Sequence, residues 1–331
     1  MTKPESKNLA SVLADLHVEA RSPNARDRRP FATGLDPLDQ ALRGGFRADD
    51  LVLVGGKPGV GKTMGTLQWA RNLALDGAHV VYACYEHTVR VLTGRLLLLE
   101  LGAIANASGF SDVEELRAQV ADFATGSVSI DDLADGRGLF ADALACVNAY
   151  ADRLWLVPAS AATTTVADLS RMVKQHGNGR TALFVDYLQK VPLGPEAKDE
   201  FEKVTCVASG LKELALSQDC LVVAIAASTS EGLTATRQRI HHLRGSSALA
   251  YEADVVIMMN EKVDAVSRVH LMYDPVKAET FRYLVVFSLE KNRSGPAGVD
   301  LEFQKDFGFA RFVSPGHYVA ERLVDSRVTV E

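Results

Sequence analysis

Apolar residues recur along this chain with two different spacings. Continuous apolar runs at 51–54, 80–85, 154–157, 183–185, 221–226 and 284–289 are short and rich in Val and Leu, and they read as strands covered on both faces. Residues 64–75, 88–101 and 201–217 instead carry apolar positions three or four apart, the spacing of one buried helix face. Leu92, Leu96 and Leu99 form that face in the second stretch, and Phe201, Val204, Ala208, Leu211 and Ala215 form it in the third. Buried strands alternating with amphipathic helices predict an α/β fold: a twisted, mostly parallel sheet with helices on both faces.

The two ends and the middle depart from this alternation. Leu9, Val12, Leu13, Leu16 and Ala20 make one apolar stripe on a short helix. Residues 21–30 are polar, arginine-rich and bounded by prolines, the composition of a solvated linker rather than a DNA-binding arm. Packing on its own domain and docking on a neighbouring subunit satisfy the stripe equally well. In the middle, Ser111-Asp112-Val113-Glu114 is a capping box with Leu116, Val120 and Phe123 at helical spacing behind it. Residues 131–136 read as an acidic loop, and 142–150 as a helix. Thr165 to Asp168 caps a further helix that Gly177-Asn178-Gly179 ends. Residues 314–331 read as a tail.

Composition narrows the class. The chain has 331 residues, 47% hydrophobic and 24% charged, enough for one large core. A net charge of −6 excludes a global basic field, so any nucleic-acid contact must come from a local patch. The four cysteines are scattered without C-x-x-C pairs, which points to reduced thiols in a cytoplasmic protein rather than to zinc or a disulfide framework. No apolar run reaches membrane-spanning length, so no membrane partner is expected.

The chemistry concentrates after the first strand. Gly56, Lys57, Pro58, Gly59, Val60, Gly61, Lys62 and Thr63 fit G-x-x-x-x-G-K-[ST], with Met64 opening the helix behind them. A glycine-rich turn from strand to helix aims backbone N–H groups and a helix N-terminus at one point, which suits phosphate. ATP with Mg²⁺ is therefore the expected ligand, with Lys62 on the β/γ-phosphates and the Thr63 hydroxyl on Mg²⁺. Glu86 closes the next strand, where a carboxylate can polarise an attacking water. Asp186 ends the apolar strand 183–186, a position for a second Mg²⁺ ligand.

Further motifs add a family resemblance. Thr33-Gly34-Leu35-Asp36-Pro37-Leu38-Asp39 and Gly44-Gly45-Phe46 lead into the phosphate-loop strand. Asp186-Tyr187-Leu188-Gln189 follows the second acidic site, and Lys291-Asn292-Arg293-Ser294-Gly295-Pro296 follows a late strand, the match running on to Gly298. Together with the phosphate loop these resemble the RecA-like ATPases, and most closely the motor domain of DnaB-type replicative helicases. The resemblance spans residues 9–313 and implies a RecA-like sheet. It makes Glu86 the catalytic base and Lys291 and Arg293 a finger pointing into the next subunit's ATP. It also implies a homo-oligomeric, hexameric ring acting on single-stranded DNA.

Residues 227–248 keep only half of the family pattern. Their basic set includes Arg237, Arg239, His241, His242 and Arg244, and in related ATPases loops here touch DNA phosphates. The family's Gln after the preceding strand is Ala227 here, and its L-R-E-S-G reads Leu243-Arg244-Gly245-Ser246-Ser247. Arg237, Arg239 and Arg244 are the candidate DNA contacts. The alternative is an ATP-gated assembly module of the KaiC/RadA-like branch acting on a protein partner, which the text Gly55-Gly56-Lys57-Pro58-Gly59 also suits. The expected division is 1–30 helix and linker, 31–313 ATPase domain and 314–331 tail.

Overall fold

The computed structural model describes residues 6–21, 27–108, 113–135, 138–193, 199–267, 270 and 275–324. These form one twisted sheet of nine strands in the order β3-β2-β4-β5-β1-β6-β7-β8-β9. The parallel part comprises β1 (Leu51–Gly56), β2 (His79–Cys84), β3 (Leu154–Pro158), β4 (Thr181–Asp186), β5 (Leu221–Ile225) and β6 (Val255–Glu261). Antiparallel β7 (Leu284–Asn292), β8 (Val299–Asp306) and β9 (Arg311–Tyr318) extend it past β6. β1 lies between β5 and β6, with Val54 opposite Ile225 and Gly56 opposite Met259.

Among the described residues the α-helices, in chain order, are α1 (Leu9–Arg21), α2 (Leu38–Ala41), α3 (Lys62–Leu75), α4 (Val89–Ser108), α5 (Val113–Thr125), α6 (Ile130–Asp135), α7 (Leu139–Asn148), α8 (Val166–His176), α9 (Glu200–Gln218), α10 (Ser230–Thr234), α11 (Ser246–Glu252), α12 (Lys262–Ala265) and α13 (Pro275–Thr280). The continuous apolar runs have their cause in two separate cores. Val52 and Val54 of β1 join Trp69, Tyr82, Phe184 and Phe287 on one face, while Leu51 and Leu53 join Leu169, Leu211 and Val222 on the other. With alternate side chains buried on opposite faces, no polar position remains along the strand. Trp69 is fully buried between Phe46 and Phe287, so trimming it to Ala costs about 3–5 kcal/mol.

A third cluster, including Leu101, Leu116, Val120, Leu133 and Phe140, builds a helical lobe over α4. A buried ion pair anchors α4 to α3: Arg71 Nε donates to Glu100 Oε1 at 2.7 Å, and the Tyr150 hydroxyl donates to the same oxygen at 3.0 Å.

Two expectations change, and one open alternative narrows. Residues 131–135 are helical as part of α6, not a loop, because Ser129 and Asp132 cap each other (2.6–3.1 Å) and Leu133 is buried in the lobe. Residues 314–324 are not a free tail: they continue β9, and beyond it Val319 N–H donates to Asp300 O while Leu323 bridges to Val266; the rest of the expected tail, 325–331, lies outside the described residues. On α1, Leu9, Leu13 and Leu16 are 72%, 58% and 52% exposed, so the stripe does not pack on its own domain. Part of the Ser111 capping box, and residues 22–26 of the linker, lie outside the described residues. Among the described residues no helix is long and apolar enough to cross a membrane.

Candidate nucleotide site

The C-terminal ends of β1, β2, β4 and β5 open into a cleft of about 450 Å³. Open parallel sheets place ligands at this end. The cleft is formed by the phosphate loop between β1 and α3, by Glu86 and His87 after β2, by Arg95 of α4, by Asp186 and Tyr187 after β4, by Ala227 and Ser228 after β5, and by Leu233 and Phe307. The adjacent Lys62 and Thr63 thus meet Glu86 and Asp186, which lie far from them in sequence.

The loop's glycines have distinct reasons. Gly59 has φ +84° with open space where a Cβ would stand, so conformation requires it. Gly61 has φ +99° and is also packed tight, since a Cβ there would come within 2.8 Å of Phe312 and 2.9 Å of Phe307. Phe312 and Phe307 meet edge to face at 5.7 Å and floor the start of α3. The Lys62 ammonium donates to the carbonyls of Gly56 (2.7 Å) and Lys57 (2.9 Å), which holds its stem along the loop. Burial lowers its pKa to about 8, against the pull of Asp186 and Glu86.

Asp186 is 1% exposed. Burial pushes its carboxyl upward, countered by a hydrogen bond from the Thr63 hydroxyl, while the nearby Glu86 charge raises it further. Tyr82 donates to Asp186 at 3.5 Å and shares a 2.9 Å hydrogen bond with Thr66 of α3. Thr63 and Asp186 are both oxygen donors, one neutral and one anionic, in mutual contact. That set fits Mg²⁺, which prefers few protein oxygens together with phosphates and water.

Arg95 is the residue sequence reasoning missed. It lines the cleft from α4, and its Nη1 is buried with no hydrogen-bond partner among the described residues. The available signal was a cation three residues after Leu92, on the apolar face of α4.

The finger residues lie elsewhere. Lys291 Nζ donates to Ala250 O at 2.7 Å, and Arg293 donates to Asp254 Oδ1 and Tyr251 O, both at 2.9 Å. These contacts sit where β6 begins, at the end of the sheet opposite the phosphate loop.

The basic segment after β5 is folded rather than open. Gln189 pins it, donating to Arg244 O at 3.2 Å and accepting from Ala227 N–H at 2.9 Å. Ser228 donates to Gln238 Oε1 at 2.8 Å, and Gln238 is fully buried. Arg237 departs from its expected place on an exposed DNA-facing loop. It is buried, and its Nη2 donates to Asp300 at 2.6 Å and Ser288 at 3.1 Å. Arg239 pairs with Glu290 at 2.5 Å. Arg244 is half-exposed and pairs with Glu200 at 2.9 Å.

Comparison with known proteins gives the same class as the geometry. The DnaB-like helicase C terminal domain family matches residues 31–314, and the chain belongs to that family. A curated relative, "Replicative DNA helicase DnaB" of Treponema pallidum (strain Nichols), is 27% identical over 312 residues, covering 93% of this chain and 61% of the relative. The chain thus spans about three-fifths of that relative's length. Among solved structures, one of an isolated ATPase domain superposes with a TM-score of 0.71 at 17% identity, covering 93% of this chain and 99% of that one. "The Structure Of A DnaB-Like Replicative Helicase And Its Interactions With Primase" gives 0.65 at 20% identity, covering 95% of this chain and 68% of that one. The fold is that of a RecA-like motor domain.

Proposed function

We propose that this chain is a ring-forming ATPase that couples ATP hydrolysis to single-stranded DNA binding and to translocation or unwinding, in the cytoplasm. One observation carries the reading: Lys62, Thr63, Glu86, Arg95 and Asp186 converge on a single cleft at the C-terminal edge of the parallel strands. Lys62 and the loop N–H groups hold the phosphates, and Glu86, which reaches the cleft from the end of β2, draws a proton from the attacking water. Arg95 offers its unpartnered Nη1 to charge on the transferring phosphoryl. Thr63 and Asp186 would hold Mg²⁺, which supplies charge neutralisation on the phosphates when bound.

A homo-oligomer follows from two exposed features, the apolar stripe of α1 and the Arg293 finger at the far end of the sheet. Hexamers are the family expectation. The DNA contact narrows to Arg244, with Arg239 behind it, because Arg237 is committed to Asp300.

Two variants test the nucleotide reading. Lys62→Ala should lose Mg–ATP binding. Glu86→Gln should bind Mg–ATP near normally and hydrolyse it about 10²–10⁴-fold more slowly, the size of a general-base contribution. Normal turnover by Glu86→Gln removes that residue from the mechanism, and normal binding by Lys62→Ala removes the site.

A further inference from the structure

His87 lines the cleft beside Glu86, and neither the phosphate loop nor the family motifs account for it. The residue is half-buried. Its backbone N–H donates to Cys84 Sγ at 3.3 Å, which fixes the point from which the ring leaves the turn after β2. The charged groups around it come from every wall. Arg95 approaches from α4 and Glu86 from its own turn. Lys62 of α3 and Asp186 of β4 line the same cleft. Cys84 of β2 is a thiol that burial keeps protonated.

We infer that His87 is a proton-responsive ligand of the polyphosphate, taking up a proton as nucleotide binds and then donating from the imidazolium to the γ-phosphate end. This rests on the nucleotide reading above and deepens it. Among the protein's own groups, burial and the Arg95 charge hold the imidazole below its ordinary range, with Glu86 opposing them. The ring is therefore neutral near pH 7. A polyphosphate brings several negative charges into the same cleft, which reverses the local balance in favour of the charged ring. A cation gained there lies beside the general base and Arg95, where charge on the transferring phosphoryl needs neutralising.

The sign of the linkage follows. The bound state holds the proton more tightly than the free state, so nucleotide binding strengthens as pH falls through the neutral range. Lys62, with its pKa near 8, has the same sign at higher pH, but its contribution is common to wild type and His87 variants.

Calorimetry in buffers of different ionisation enthalpy counts the protons taken up on binding. The probes are Mg–ADP and the non-hydrolysable Mg–β,γ-imido-ATP, used with the whole chain at pH 7. Wild type should take up more proton with the triphosphate than with the diphosphate, and His87→Gln should lose that excess while still binding both. From pH 8 to pH 6 the triphosphate should tighten about three- to tenfold more in wild type than in His87→Gln, as a shift of up to one pKa unit allows. Equal uptake with both nucleotides in wild type overturns the inference, as does an unchanged excess in His87→Gln. If His87→Gln does not fold, His87→Asn is read in its place, because Lys62 on the β/γ-phosphates also contributes to the wild-type excess. Absence of nucleotide binding in wild type overturns this inference and the nucleotide reading together, a result distinct from the others.

Discussion

On the proposed ring reading, replacing Arg293 with Ala should leave ATP binding intact and remove most hydrolysis, with the loss acting between subunits because of where Arg293 sits in its own chain. Arg293 N–H donates to Asp254 O at 3.0 Å, which fixes the residue where β6 begins. The phosphate loop leaves the sheet at Gly56, opposite Met259, five residues further along β6. Five residues of strand span about 16 Å. That is far beyond an arginine side chain, so Arg293 cannot reach its own nucleotide. Moving into a neighbour's site requires releasing Asp254. The pair is half-exposed on the Arg293 side, so its loss costs about 0–1 kcal/mol. Asp254 is not orphaned either, because Lys212 Nζ at 2.6 Å and Leu51 N–H at 2.8 Å still donate to it. An arginine finger supplied in trans contributes roughly 10³–10⁵ in rate, about 4–7 kcal/mol, which outweighs that cost. Phosphate release should therefore fall by about that factor in Arg293→Ala. The assay mixes this variant with Lys62→Ala, also inactive alone. Some interfaces then join an intact loop to an intact finger, and activity should return in part. Arg293→Ala turning over near the wild-type rate refutes the reasoning, as do mixed rings that form and recover nothing at any ratio.

Two further outcomes follow from the charges around the cleft. The drop of the Lys62 pKa from 10.5 to about 8 means that the unfolded chain binds this proton more tightly, a penalty of about 3 kcal/mol below pH 8. Stability of the nucleotide-free protein should therefore rise with pH from about 8 to about 10.5. Lys62→Met should flatten that limb in urea titrations, and an unchanged slope would place the burial penalty elsewhere. Arg244→Ala should weaken single-strand binding about equally for all sequences and reduce the salt slope by about one ion. Fluorescence anisotropy across a salt series measures this, and an unchanged slope excludes Arg244 as a phosphate contact.

The strand, loop and helix of the phosphate site were legible because local chemistry specifies them. Glycines with positive φ, a lysine and a threonine must be adjacent in sequence to work. Glu86 and Asp186 were legible because each ends a continuous apolar run, and the parallel sheet brings both run ends to one edge. Arg95 was hidden because one cation in an apolar helical stripe has no local mark; only the packing of α4 beside the cleft reveals its use. Arg237 read as an exposed base because its neighbours in sequence are polar. Its partners Asp300 and Ser288 arrive only when β7 and β8 pair, with Ser288 opposite Asp300. The same is true of the segment after β9, whose contacts with residues 265–267 depend on the finished antiparallel extension. The α1 stripe was legible as a helix, but its acceptor was not, and the described domain offers none.

The central claim is that this cleft hydrolyses ATP in response to single-stranded DNA. Steady-state phosphate release at saturating Mg–ATP, with and without a homopolymeric single strand at low salt, tests it most directly, with Lys62→Ala run in parallel. Release that depends on Lys62 and rises several-fold with the strand is the predicted result. Lys62-dependent release that ignores the strand at every salt concentration would contradict the claim and return the chain to an ATP-gated module acting on protein.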